Sequence, residues 1–144
     1  MGFKHLLVPT DFSEAASRAL DMAVTLGTKF GSDLTLLHVC TLPAASYGEK
    51  LFWPVDELRR AARETLDVVL VDARRRYPRT DSVLAEGDAW RQILVTAEAH
   101  TIDLIVMGTH GRHWLSRTLL GSSAERVARA SVVPVLTVST GEWR

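Results

Sequence analysis

Short apolar runs alternate with longer amphipathic stretches along the whole chain. Residues 4–8 read as a first strand, in which His5-Leu6-Leu7-Val8 is closed by Pro9. Over the next segment Ala16, Ala19, Leu20, Ala23, Val24 and Phe30 recur at helical spacing. Asp11 and Ser13 are candidate caps for that helix, and Gly31 stands where a C-terminal glycine belongs. Gly27 interrupts the pattern and weakens the last turn. Residues 33–39 (DLTLLHV) form a second strand, apolar on both faces near its end, as in a sheet covered on both sides. Residues 55–76 predict a long helix with Leu58, Ala62, Leu66, Val69 and Ala73 on one face. A short third strand follows over residues 82–85. A helix over 89–100 comes next, capped by Asp88 and turning Ile93, Leu94 and Ala97 inward. Residues 103–107 are a fourth strand, 122–130 a last helix and 132–138 (VVPVLTV) a fifth strand.

Strict strand–helix alternation predicts a single doubly wound α/β domain over residues 1–144, with a five-stranded parallel sheet and helices on both faces. A flavodoxin-like order and a Rossmann-like order with its crevice between strands one and four both satisfy the pattern. In either, ligands belong at the C-terminal ends of the strands. The irregular part is residues 40–54, broken by Pro43, Gly48 and Pro54. Its Tyr47, Phe52 and Trp53 are expected to form a local mini-core rather than a lid or partner surface.

Composition narrows the function classes. Seventeen basic residues balance seventeen acidic ones, so no global field favours nucleic acid or an anionic membrane. The arginines of the long helix are interleaved with Glu57, Glu64, Asp67 and Asp72, which predicts a salt-bridged, solvated face. The single cysteine, Cys40, excludes an intrachain disulfide and a multi-cysteine metal centre. No apolar run reaches membrane-spanning length and the N-terminal run is too short for a signal peptide, so a cytoplasmic protein is expected.

Candidate chemistry concentrates in one stretch, VMGTHGRHWLSRTLLGSSAERV over residues 106–127. Gly108, Gly111 and Gly121 lie between a buried strand and a helix start, with Arg112 and Arg117 in the same loop. Glycines permit positive φ and close backbone approach, and amides at a helix start favour an anion. Ser122 and Ser123 are the expected hydroxyl caps. Together these features point to a phosphate group. Neither a P-loop pattern nor a Gly-x-Gly-x-x-Gly fingerprint occurs. If strands one and four are neighbours, Pro9-Thr10-Asp11 lies beside Met107-Gly108, and His38, Val39 and Cys40 reach the same edge. Asp11 then suits a base amino group or ribose hydroxyl, or else caps the helix. Val39 offers an apolar contact and free backbone groups at a strand end.

Pro9-Thr10-Asp11-Phe12-Ser13, Leu37-His38-Val39, Glu86-Gly87-Asp88 and Gly108-x2-Gly111-x9-Gly121-Ser122 together resemble the universal stress protein family, and the final glycine pattern resembles its ATP-binding branch. The resemblance covers nearly the whole chain. It implies a parallel sheet in the order 3-2-1-4-5 and ATP as ligand. Asp11 and Val39 then match the adenosine positions, and Met107, Gly108, His110, Gly111, Gly121, Ser122 and Ser123 match those around ribose and phosphates. It also implies a homodimer through the last strand, between Val132 and Val138, although Pro134 removes one donor there.

For catalysis the sequence offers little. His110 and His113 are a weak His-x2-His metal signal without a third ligand, and His5, His38 and His100 are expected to be structural. Mg²⁺ is expected to enter with the nucleotide, with Ser122 as its candidate hydroxyl. Trp114 either covers the phosphates or packs on the sheet edge. The leading expectation is an ATP-binding stress-response sensor or signalling module with little or no hydrolysis and an unidentified protein partner. A slow ATPase or nucleotide-dependent transferase is one alternative, and a non-nucleotide dimerisation module is another.

Overall fold

The structure, a computed structural model, describes residues 2–41, 54–109 and 121–140. The elements run in the order β1 (His5–Pro9), α1 (Glu14–Phe30), β2 (Asp33–Cys40), α2 (Val55–Arg76), β3 (Thr80–Glu86), α3 (Ala89–Ala99), β4 (Leu104–Gly108), α4 (Ser122–Ala130) and β5 (Val135–Val138). All strand pairs are parallel and the order across the sheet is β3-β2-β1-β4-β5. The expected doubly wound fold and strand order are both present.

Side-chain alternation along the strands sorts the core into two layers. Leu6 and Val8 of β1, Leu34 and Leu36 of β2, and Leu104 and Val106 of β4 meet Ala19, Leu20 and Ala23 of α1 and Leu66, Leu70 and Ala73 of α2. Leu7, Leu37, Ile105 and Met107 face the other way, onto Ile93 and Ala97 of α3 and Ala124 and Val127 of α4. Both faces of the central strands are therefore buried, which explains why their sequence reads as continuous apolar runs rather than as alternation.

Several expectations shift in detail. β3 spans seven residues rather than four, and its partners on β2 run from Thr80↔Leu34 to Glu86↔Cys40. Its ends are polar because it is an edge strand, so backbone pairing and not hydrophobicity sets its length. β5 begins at Val135, after Pro134, whose carbonyl still accepts the Ile105 N–H at 3.0 Å. Val132 lies outside the strand and is fully exposed. On α2 the inward stripe is Leu66, Leu70 and Ala73, while Leu58 is exposed. Phe30 is also exposed on α1 and packs edge-on against Phe3, with ring centroids 5.7 Å apart.

Gly27 turns out to be a packing position. A Cβ there would stand 2.8 Å from Leu34 Cδ1 and 3.2 Å from the Tyr77 ring. The Tyr77 hydroxyl donates to the Gly27 carbonyl at 2.9 Å and lies 2.6 Å from the Ser32 carbonyl. This contact ties the end of α1 and the start of β2 to the chain leaving α2. Gly31 closes α1 in the left-handed region, at φ 69°. Along α2, Arg63 pairs with Asp67 at 3.5 Å and Arg76 with Asp72 at 3.6 Å, as the interleaved charges predict, while Arg74 reaches Asp81 of β3 at 2.6 Å and Arg76 reaches Asp21 of α1 at 2.7 Å. Arg59 is bonded to Glu86 of β3, and this pairing holds the Glu86 carboxyl below its ordinary range and raises the Arg59 guanidinium above its own. Exposed pairs of this kind contribute little to stability individually.

Tyr77→Phe removes the hydroxyl that bridges these elements. We expect a loss of about 1–2 kcal/mol with the fold retained, read as a lower urea midpoint at an unchanged slope. An unchanged midpoint would show that the hydroxyl contributes nothing.

Candidate functional site

A cleft opens at the C-terminal edge of the sheet, where the chain leaves β1 toward β2 on one side and later returns to β4 on the other. Crevices at such a reversal of strand order are the usual ligand sites of open α/β sheets. The cleft measures about 170 Å³ and is lined at its strand ends by Pro9, Thr10, Val39, Met107 and Gly108. Every site residue expected from the sequence that falls among the described residues lines this cleft, namely Pro9, Thr10, Asp11, Val39, Met107, Gly108, Gly121, Ser122 and Ser123. His110, Gly111 and Arg112, together with His113, Trp114 and Arg117, lie outside the described residues, as do Tyr47, Phe52 and Trp53.

The first wall is a tight loop after β1. The Thr10 N–H donates to the Leu37 carbonyl at 2.8 Å, the last rung between β1 and β2. The Thr10 carbonyl then takes His38 Nδ1 at 2.8 Å instead of a further strand partner. Phe12 adopts φ 67°, a region that costs a non-glycine residue about 1–2 kcal/mol. Its N–H donates to Thr10 Oγ1 at 3.0 Å and its ring lies 4.3 Å from that of His38. Asp11 accepts the Ser13 N–H at 3.0 Å, and Ser13 is the N-cap of α1, accepting from Ala16 N–H at 3.2 Å. Asp11 therefore braces the cap from two residues before it while also lining the cleft. The structural role expected for His38 is present, and its specific task, holding a strained Phe12, was invisible in the sequence.

The second wall is the end of β2. Leu37 and Cys40 direct their carbonyls to opposite sides, toward Thr10 and toward Gly87 respectively. Backbone groups alternate in direction along a strand, so Val39 turns its N–H and C=O to the β1 side. β1 has ended there, since its last paired residue is Pro9 opposite Leu37. An N–H donor beside a C=O acceptor is thus presented at the cleft.

The third wall is the start of α4. Its N-cap is Gly121, not Ser122 or Ser123, and no side chain caps it. The serines occupy the first two helical positions, so the expected hydroxyl caps are corrected to helix-start residues, Ser122 exposed and Ser123 half-buried. The first intrahelical bond runs from Glu125 N–H to the Gly121 carbonyl at 3.0 Å, which places the Ser122, Ser123 and Ala124 amides ahead of the ladder. α1 is capped by Ser13. α3 has Asp88 at its N-cap, where the carboxylate makes no cap bond and instead sits 3.7 Å from Arg91. The expected capping bond of Asp88 is therefore absent. Among the described helix starts at this edge, α1 alone has a side-chain cap bond, whereas α2 behind Pro54, α3 behind Asp88 and α4 behind Gly121 have none, and the first-turn Glu125 of α4 is drawn to Arg129 at 2.8 Å. The dipole and free amides of α4 favour an anion.

The glycines act differently from the expectation of positive φ. Gly121 has φ −59° and ψ 156°, a conformation open to any residue. Gly108 is required by packing, because a Cβ would stand 2.7 Å from Ala15 Cβ and 2.8 Å from the Ala15 carbonyl carbon. It lets α1 lie directly on β4. Thr109, which the glycine pattern passes over, also lines the cleft. Its N–H donates to the Val138 carbonyl at 3.0 Å and its carbonyl accepts from Gly121 N–H, but its buried Oγ1 has no hydrogen-bond partner among the described residues. An unsatisfied hydroxyl of this kind costs about 1–3 kcal/mol. No group of three or more potential metal-ligating side chains occurs among the described residues.

Residues 2–139 match the universal stress protein family. The chain belongs to that family. It is 29% identical to universal stress protein A homolog 1 of Coxiella burnetii, over 96% of this chain and 97% of the relative. It is 31% identical to universal stress protein MJ0531 of Methanocaldococcus jannaschii, over 94% and 82% respectively. Among solved structures, MJ0577 superposes with a TM-score of 0.82 at 28% identity, covering 99% of this chain and 100% of that one. Two more distant family structures share the fold. A universal stress protein in complex with cAMP has a TM-score of 0.74 at 22% identity, covering 98% and 100%. One from Archaeoglobus fulgidus in complex with dAMP has a TM-score of 0.70 at 23% identity, covering 96% and 99%. No helix among the described residues is long and apolar enough to cross a membrane.

The Gly108 contact generates a prediction separable from ligand binding. Gly108→Ala forces α1 away from β4 and is expected to cost about 1–3 kcal/mol, seen as a lower urea midpoint in the absence of ligand. Wild-type stability in that variant would mean that α1 gives way freely.

Proposed function

We propose that this chain binds ATP and acts as a stress-response sensor or signalling module, with little or no hydrolysis. The observation that carries the reading is the pairing of two open backbone features across one cleft, the Val39 donor–acceptor pair and the uncapped start of α4. The first has the hydrogen-bonding pattern of an adenine edge, and the second favours phosphate. Asp11 stands on the adenosine side as an acceptor for a base amino group or a ribose hydroxyl. Met107 and Gly108 floor the space between, and Gly121, Ser122 and Ser123 take the phosphates. His110 and Gly111, by their match to the family pattern, and Arg112, by its charge, complete the phosphate side. Mg²⁺ accompanies the phosphates, with the Ser122 hydroxyl as its protein contact. The cAMP and dAMP held by two fold neighbours are adenine nucleotides, which supports the choice of base.

Asp11, the carboxylate of the described cleft lining, accepts the Ser13 N–H through Oδ1 and keeps its second oxygen for the ligand. Denaturing the purified protein and identifying released nucleotide by chromatography and mass, with a Mg²⁺–ATP titration alongside, tests the reading. ATP released or titratable is the expected result. If neither test finds ATP, ADP or AMP, the reading fails. Asp11→Ala is expected to weaken ATP binding about tenfold, the worth of one charge-assisted hydrogen bond. Lost stability with unchanged affinity would reduce Asp11 to a brace for α1.

The free edge of β5 extends the proposal to assembly. Its outer backbone groups are unpaired among the described residues, and Leu136 and Val132 are exposed nearby. Such an edge suits pairing with a second copy. Sedimentation equilibrium is expected to give twice the 15.9 kDa chain mass, and a monomer at micromolar concentration would remove the dimer from the reading.

A further inference from the structure

We infer that His38 is a positioning residue for the base side of the cleft, a role that rests on the adenine-nucleotide reading above. The two groups assigned to the base side come from different strands. Asp11 lies in the turn that follows β1, and the Val39 backbone lies near the end of β2. His38 links them. It is the residue before Val39, and its ring reaches back to both chain neighbours of Asp11. Nδ1 lies 2.8 Å from the Thr10 carbonyl, and the ring centroid lies 4.3 Å from that of Phe12, tilted by 32°. A carbonyl only accepts, so Nδ1 carries a proton and donates it. One imidazole therefore grips the residues on either side of Asp11, the first by a hydrogen bond and the second by ring contact.

The turn needs that grip. Phe12 sits at φ 67°, a conformation that a bulky residue keeps only while its surroundings hold it there. Asp11 is joined to Phe12 through one peptide plane, so relaxation at Phe12 would displace the Asp11 carboxylate. Held in place, that carboxylate has Oδ1 fixed by the Ser13 N–H at 3.0 Å and its second oxygen left for a ligand. The backbone of His38 is itself anchored, because β2 pairs with β3 without a break from Leu34 to Cys40. The imidazole thus extends the rigidity of the sheet into the turn. It sets the spacing between the Asp11 carboxylate and the Val39 backbone before a ligand arrives. Groups ordered in advance lose less freedom on binding, which raises affinity without adding a contact.

The test uses the full chain as wild type, His38→Leu, His38→Phe, His38→Asn, Asp11→Ala and the double variant Asp11→Ala/His38→Leu. Each is titrated calorimetrically with adenosine and with Mg²⁺–ATP. His38→Leu is expected to bind both probes about tenfold more weakly, by a common factor because both carry the adenosine part. His38→Asn, whose amide nitrogen stands in for Nδ1, is expected to recover most of that loss. In the Asp11→Ala background the leucine substitution is expected to weaken binding by no more than about twofold, because a residue that works through Asp11 has little left to position. Should the leucine variant fail to fold, His38→Phe, which keeps a ring beside Phe12 and lacks the donor, reads the same loss. In ligand-free wild type, nitrogen NMR is expected to find a proton on Nδ1 of His38, and a bare Nδ1 would overturn the inference whatever the titrations give. Leucine and phenylalanine variants that bind both probes like wild type would overturn it too. So would losses that simply multiply in the double variant, the mark of a role independent of Asp11. A wild type that binds neither probe would overturn the adenine-nucleotide reading itself, an outcome visible before any variant is compared.

Discussion

The cleft depends on one mismatch of strand lengths. β1 stops pairing at Pro9 while its neighbour β2 runs on to Cys40. In a parallel sheet each interior strand saturates the backbone of the strands beside it, so shortening the central one leaves donors and acceptors of its neighbour unpaired. Val39 falls in that gap. The chain emerging from β1 must then turn sharply enough to clear it, and the turn is held in a strained state by Thr10, Phe12 and His38. Strain of this kind persists only where surrounding contacts over-determine it. Here a backbone rung, an imidazole bond and a ring stack do so within four residues.

A second layer of organisation lies in which helix starts are closed. Four helices begin along this edge, each following a parallel strand, and all would attract an anion if left bare. Ser13 satisfies α1, and Asp88 places a negative charge at the cap of α3. Gly121 leaves α4 open. Pro54 leaves the start of α2 without a cap bond as well, so what distinguishes α4 is that its uncapped first turn, at Gly121, Ser122 and Ser123, lines the cleft. The close contact of Gly108 with Ala15 brings α1 against β4 at the cleft.

Much of the architecture was legible before folding. The helices α1, α2 and α4 have the limits that periodicity and glycine or proline punctuation predict. Periodicity failed at the sheet margins. β3 is longer than its apolar run and β5 shorter, because edge strands take their length from the neighbour's backbone, and Pro134 cannot donate. The glycine pattern located the cleft correctly at Gly108 and Gly121, but for reasons that spacing does not reveal. One glycine accommodates a helix and the other leaves a helix uncapped.

The sequence by itself determined the fold class, the position of most elements, the family pattern and the residues to inspect, because all of these follow from local periodicity and from motifs read along one chain. Tertiary structure alone decided that Val39 lies beyond the end of β1, that α1 presses on Gly108, and that His38 supports Phe12. It also decided that Thr109 is buried with its hydroxyl unsatisfied. Each of these is a relation between residues far apart in the chain, set by strand register and by the burial of two helical layers against one sheet. No local pattern encodes such a relation, since the energy that fixes it exists only once both partners are in place.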